Sequence, residues 1–253
     1  MFDQPFVRPS AIQCLDPRVR MAVAALAALC LSSLQDASAC GLGLAFGLLL
    51  LIAARPPLLP LLRRLAVVNI FVAFLWCVTP ITMPGREVVG WGPVSISAEG
   101  LHLALLVSIK SNAIVCIFLA LVATMNASTA GRALECLRCP RKLVFLFLFT
   151  ARYVHVIAQQ WQSLSVAARL RGFRPKSDMH TYRTLAALLG LLLVRSYERS
   201  LRVREAMLLR GFSGQFHSVA VFKARALDVL FAVFVLLCLA GIVAVEYRDT
   251  LYG

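Results

Sequence analysis

The chain has 253 residues, 60% hydrophobic and 15% charged, and its 26 Lys and Arg against 12 Asp and Glu give a formal net charge of +14. Soluble domains carry about 45–50% apolar and about 25% charged residues, so this balance excludes an ordinary water-soluble globule, and it excludes disorder equally. The charge is concentrated: 17 basic and four acidic residues lie between Met125 and Arg225, a net +13, and the rest of the chain is almost neutral and very apolar.

Five stretches are predicted to cross a bilayer: Met21–Gln35, Ala37–Ala54, Leu65–Ile81, Leu101–Met125 and Ala226–Val245. A span needs roughly 20 residues, so the first run is short. It lengthens backward if Arg18 and Arg20 snorkel toward the headgroups, and Asp16-Pro17 reads as an N-cap followed by proline at the first helical position. Ala37-Ser38-Ala39 resembles a signal-peptide cleavage site, but the leader before it is long, contains Asp3 and Asp16, and is followed at once by another apolar run, so retention is expected.

Loop charges set the orientation. Arg55, Arg63 and Arg64 stand without an acid between the second and third runs, whereas Arg86 is matched by Glu87 and Glu99 in the loop Thr82–Gly100. Positive loops stay in the cytoplasm. The N-terminus and the whole basic block are therefore expected inside, the Thr82–Gly100 loop outside, and Glu246–Gly253 as a short external tail. Lys110, about ten residues into the fourth run, is an ionisable residue within a span, and such residues serve either structure or function. With no acid in the neighbouring spans, binding to carbonyls or a partner within the bundle is the simpler role.

The basic block holds an internal repeat. Ala167-Ala168-Arg169-Leu170-Arg171-Gly172-Phe173 and Ala206-Met207-Leu208-Leu209-Arg210-Gly211-Phe212 align without gaps, 39 residues apart and identical at five of seven positions. Each closes a helical pattern: Trp161, Leu164, Ser165 and Ala168 precede the first copy, and Val194, Tyr197, Leu201 and Leu208 lead through the second. Glycine after the last periodic residue is a left-handed helix terminator, and the following phenylalanine can fold back on the last turn. The arginine before each glycine sits at the negative end of the helix dipole. Two such tips suit two equivalent grooves, with arginine meeting carboxylates bidentately. Between the copies, Thr184–Val194 is too short to span and is expected to lie at the interface or beneath the bundle; Arg195, Arg199 and Arg202 share a face, solvated or at lipid headgroups, and Glu198 can pair with Arg202.

Other chemistry is missing. The chain has no phosphate-cradling Gly-x-x-x-x-Gly-Lys-Ser/Thr stretch and so hydrolyses no ATP by that route. Cys136-x-x-Cys139 has no second ligand pair, four scattered histidines lack metal spacing, and Cys30, Cys77, Cys116 and Cys238 lie in apolar runs where cysteine acts as a small hydrophobe. Positive-inside topology already accounts for the basic block without nucleic acid.

The chain resembles, over nearly its full length, the transmembrane T component of energy-coupling factor (ECF) transporters, CbiQ type. The carrying segments are Leu15-Asp16-Pro17-Arg18, Gly100-Leu101, Lys110-Ser111-Asn112, Pro140-Arg141-Lys142-Leu143, Arg152-Tyr153-Val154-His155, the run Leu192–Ser200 and the two Arg-Gly-Phe tips. It departs from the family pattern at Ala158-Gln159-Gln160-Trp161, where relatives often carry an acidic residue.

The resemblance implies an all-α polytopic membrane protein with about five transmembrane helices plus cytoplasmic or interfacial coupling helices. Residues 1–125 would form a four-span membrane bundle, 126–225 the coupling region, and 226–253 a last span with its tail. It implies a non-enzymatic subunit of a prokaryotic plasma-membrane importer for cobalt or nickel. The partners would be two ATP-binding subunits (CbiO-like), a substrate-binding S component (CbiM-like, with a small CbiN-like subunit) and membrane lipid. No cofactor would be held in this chain, ATP being bound by the ATPases and metal by the S component. Leu170, Arg171, Gly172, Phe173 and Leu209, Arg210, Gly211, Phe212 would be the ATPase-coupling residues, with Lys110 an intramembrane residue of structural or functional role. A vitamin-transporting T component and a membrane enzyme acting on lipid-like substrates are the alternatives.

Overall fold

The computed structural model describes residues 15–83, 86–91, 94–212 and 226–252. Its helices are α1 (Pro17–Ser33), α2 (Ala37–Ala54), α3 (Leu58–Thr82), α4 (Ala98–Leu121), α5 (Ala127–Cys136), α6 (Arg141–Leu170), α7 (Met179–Leu209) and α8 (Ala226–Tyr252). The structure is all-α apart from a short antiparallel hairpin of β1 (Glu87–Trp91) and β2 (Val94–Ser97). Two compact units result: one holds α1–α5, the hairpin and α8, the other α6 and α7.

The first unit is built around α4. Its core gathers Ala27 and Leu31 from α1, Cys40 and Leu51 from α2, Cys116, Ile117 and Leu121 from α4, and Val235, Leu239 and Ile242 from α8. Small residues let the backbones approach closely, which is how helices associate where lipid removes the hydrophobic drive. At Gly47 of α2, a Cβ would stand 3.0 Å from the Ala113 carbonyl oxygen and 3.3 Å from the Cys116 Cβ, so a side chain there would require α4 to give by a few tenths of an ångström. Side-chain hydrogen bonds tie α3 to α4: Asn69 and Asn112 exchange amide hydrogen bonds at 3.1 Å, and Trp76 Nε1 donates to Ser108 Oγ at 2.7 Å.

Two polar layers bound α1. At its start, the Asp16 carboxylate caps the helix by accepting from the Arg18 amide at 2.9 Å, as Asp16-Pro17 predicts, while the Asp16 amide donates to Asp228 Oδ1 of α8 at 2.8 Å. Arg20 donates from one guanidinium nitrogen to the Leu121 carbonyl oxygen at 2.7 Å and to Thr124 Oγ1. Asp16, Arg20, Thr124 and Asp228 are all buried. At the other end, Lys110 Nζ donates to the Ser32 carbonyl oxygen at 3.4 Å, and the Gln35 amide donates to Glu246 Oε1 at 2.5 Å. The last turn of α1 therefore meets the middle of α4. The acid that sequence order hides from Lys110 belongs to α8 and reaches the same α1–α2 turn.

Several boundaries differ from expectation. The third apolar run begins inside its helix: α3 starts at Leu58, so Arg63 and Arg64 stand in its first turns rather than in a loop. The fourth helix ends at Leu121, not Met125. Glu246 lies within α8, which continues to Tyr252 rather than ending at Val245. The Thr82–Gly100 loop contains the hairpin. Among the described residues, the helices long and apolar enough to cross a membrane are α2, α3, α4, α6 and α8 through Tyr247. Compared with the five expected runs, α6 enters this set, because Leu143–Phe149 and the apolar turns that follow form one continuous 30-residue helix; α1, with 17 residues, is shorter.

Candidate functional site

The repeated heptapeptides build two matching helix ends in the second unit. In the first, the Phe173 amide donates to the Ala168 carbonyl at 3.1 Å and the Gly172 amide to the Arg169 carbonyl at 3.0 Å. In the second, the Phe212 amide donates to the Met207 carbonyl and the Gly211 amide to the Leu208 carbonyl, both at 3.0 Å. This pair of bonds defines the Schellman termination, which satisfies carbonyls that the helix leaves open. Gly172 and Gly211 have φ of +84° and +77°, in the left-handed region where a Cβ is strained.

Space is no constraint at either glycine, since a Cβ would meet nothing within 4 Å. The backbone alone requires them. Gly211→Val is therefore expected to loosen the α7 tip by about 1–2 kcal/mol, seen as faster hydrogen exchange at the Phe212 amide, whereas Gly211→Asn should retain most of the protection because asparagine tolerates this region. Equal exchange in the valine variant would show that the tip does not depend on the cap.

The caps decide what each tip presents. Arg171 and Arg210 are the C-cap residues, with closely similar backbone angles, and both are exposed. Leu170 and Leu209, one residue before them, are 84% and 90% exposed, the highest values of any large hydrophobic residue among those described. Phe173 and Phe212 turn back and are half-buried. Each tip thus offers an exposed apolar side chain beside a guanidinium, and arginine is enriched among the residues that anchor protein interfaces.

Helices α6 and α7 run antiparallel, with the Phe212 ring stacked on Phe145 near the start of α6 at 6.1 Å. The tips consequently lie at opposite ends of the pair, and α7 with its 31 residues is about 46 Å long at 1.5 Å per residue. The arrangement is reciprocal. Arg171 lines a cleft of about 430 Å³ with Arg195 of α7, and Arg210 lines another of about 430 Å³ with Arg152 of α6. Each tip arginine thereby has a second guanidinium from the neighbouring helix.

The eight tip residues are brought together as two sets of four, while Lys110 belongs to the other unit. Glu198 and Arg202 approach to 4.0 Å, as their spacing predicts. Of the periodic stripes, the first is inward, with Leu164 buried, but Val194, Tyr197, Leu201 and Leu208 are all exposed. Leu192 is buried, and Ser196, Val203 and Met207, with Leu208 of the stripe, line the wall that α7 turns to α6. Thr184–Val194 is not a separate segment but the first half of α7. Sequence reasoning missed Arg152 as a neighbour of Arg210, although Phe145, Phe149, Tyr153 and Arg152 mark that face of α6 at helical spacing. Among the described residues no three His, Cys, Asp or Glu side chains converge as a metal-ligand group, and the seven described cysteines are free thiols.

These features define a polytopic helical membrane protein carrying a long antiparallel helix pair with two equivalent arginine tips. The family model CbiQ, cobalt transport protein, matches residues 9–220, and the chain belongs to that family of membrane transport proteins. A relative, the nickel permease LarQ of Lactiplantibacillus plantarum, is 32% identical over 83 residues, which is 33% of this chain and 30% of LarQ. The matched stretch thus spans less than a third of that relative's length.

Proposed function

We propose that this chain is the energy-coupling transmembrane subunit of an ECF-type importer for cobalt or nickel ions, a transporter component rather than an enzyme. Two ATP-binding subunits each hold one arginine tip, and a separate membrane component binds the ion. ATP-driven closing and opening of the ATPase pair moves the grooves that hold Arg171 and Arg210, and α6 and α7, rigid up to their caps, carry that motion to the ion-binding component.

The observation that carries this reading is the duplicated tip: the same cap, the same protruding leucine and the same exposed arginine at opposite ends of one antiparallel pair. Such duplication fits a partner with two equivalent grooves, as a pair of like subunits offers. The family supports transport, and the name of the relative supports a divalent metal as cargo. The reading places the tips and the N-terminus on the cytoplasmic side, as the distribution of arginine predicts.

The test is co-expression with candidate ATP-binding and ion-binding membrane subunits, followed by purification and uptake of labelled cobalt or nickel into vesicles. Co-purification of an ATPase pair with ATP-dependent metal uptake is the expected result. Turnover of a lipid-like substrate by the chain alone, or a complex that imports a vitamin and no metal, would overturn the assignment.

A further inference from the structure

A larger cleft of about 740 Å³ lies between α6 and α7. One wall is aromatic: Phe149 stacks on Tyr153 at 5.5 Å between ring centres, and Met207 and Phe212 also line the cleft. Arg199 and Arg204 of α7 line the same cleft. Neither belongs to the Glu198–Arg202 pair, and Arg199 Nε is buried without a hydrogen-bond partner among the described residues.

Such a site has two demands. An apolar wall of this extent wants hydrocarbon, and a buried guanidinium nitrogen without an acceptor wants an anion, because an unmet buried polar group is costly. An apolar helix from a partner would cover the wall and leave Arg199 unmet. A phospholipid meets both demands in one molecule. Guanidinium binds phosphate as a planar fork, and basic pockets between helices of membrane proteins hold anionic headgroups.

We propose that this cleft binds one anionic phospholipid, its acyl chain along Phe149, Tyr153, Met207 and Phe212 and its phosphate on Arg199 and Arg204. The bound lipid fills the space between the two coupling helices, so that they move as one body. The proposal concerns the chain alone and does not depend on ATPase partners or on the transported ion.

The experiment is native mass spectrometry of the purified full chain in detergent, titrated with phosphatidylglycerol and with phosphatidylcholine. One tightly retained phosphatidylglycerol is expected, preferred over phosphatidylcholine by roughly tenfold. R199A/R204A should remove that preference, R199K/R204K should keep part of it, and R202A, outside the cleft, should keep all of it. The lysine pair guards against mistaking misfolding for lost binding. Absence of any preference in the unaltered chain, or the same preference in R199A/R204A, would overturn the proposal. So would a Phe149→Cys variant that crosslinks efficiently to a partner's membrane helix while no phospholipid is retained.

Discussion

Replacing both tip arginines, Arg171→Ala with Arg210→Ala, is expected to abolish ATP-dependent ion uptake while leaving the chain folded and membrane-inserted. The reason lies in how the tips are built. Both arginines are exposed C-cap residues whose backbone hydrogen bonds are made by the cap, so removing either side chain costs the fold little. Removing an arginine anchor from a desolvated interface typically costs about 2 kcal/mol or more, and 1.4 kcal/mol is tenfold in affinity. Each single alanine variant should therefore weaken ATPase docking by roughly tenfold to a hundredfold. Arg→Lys at either tip should recover only part of the loss, because an ammonium keeps the charge without the planar fork. Affinity of purified ATPase for each variant, beside helix content by circular dichroism, separates docking from folding. A double variant that binds ATPases normally and drives normal uptake would sink the coupling assignment.

The largest loss of stability is expected at the buried polar knot where α1 starts. Arg20→Ala should destabilise the first unit by about 3 kcal/mol and Asp228→Ala by about 2 kcal/mol, since each leaves buried partners unmet. Arg20 bridges α1 to the end of α4 through Leu121 and Thr124, and Asp228 holds α8 to α1 through the Asp16 amide. Arg20→Met should lose less than Arg20→Ala, because it keeps the buried stem. Thermal and detergent-titrated unfolding of the purified chain would register these differences. An unchanged transition in Asp228→Ala would mean that the Asp16 bond adds nothing to the packing of α8.

The tips were legible because they are local. A glycine in the left-handed position, an apolar residue after it and an arginine before it write the cap directly into seven residues, and the repeat at a spacing of 39 repeats the geometry. Helix positions followed from hydropathy for the same reason, as in Ala37–Ala54, matched end for end by α2. What escaped was set by contacts between distant residues. The pairing of Lys110 with the α1–α2 turn, and of Asp16 with Asp228, joins residues up to 212 positions apart, and no window of sequence contains both. The stripe Val194, Tyr197, Leu201 and Leu208 gave the helix but not its facing: in a membrane protein, apolar periodicity marks lipid-facing and partner-facing sides as readily as the core. The reciprocal guanidinium pairs were invisible because they depend on α6 and α7 running antiparallel.

The short apolar lengths of the helices around α4 have a consequence for the bilayer itself. With 17 residues, α1 measures about 26 Å, and α2 with 18 residues about 27 Å, less than the hydrocarbon thickness of about 30 Å. Helix α3 has 25 residues, but Arg63 and Arg64 stand in its first turns, so its uncharged stretch Leu65–Thr82 also measures about 27 Å. A bilayer meets walls of this length by thinning locally or by letting flanking arginines snorkel, each at a modest cost per ångström. Acyl-chain length in reconstituted vesicles is therefore a dial expected to act on this protein.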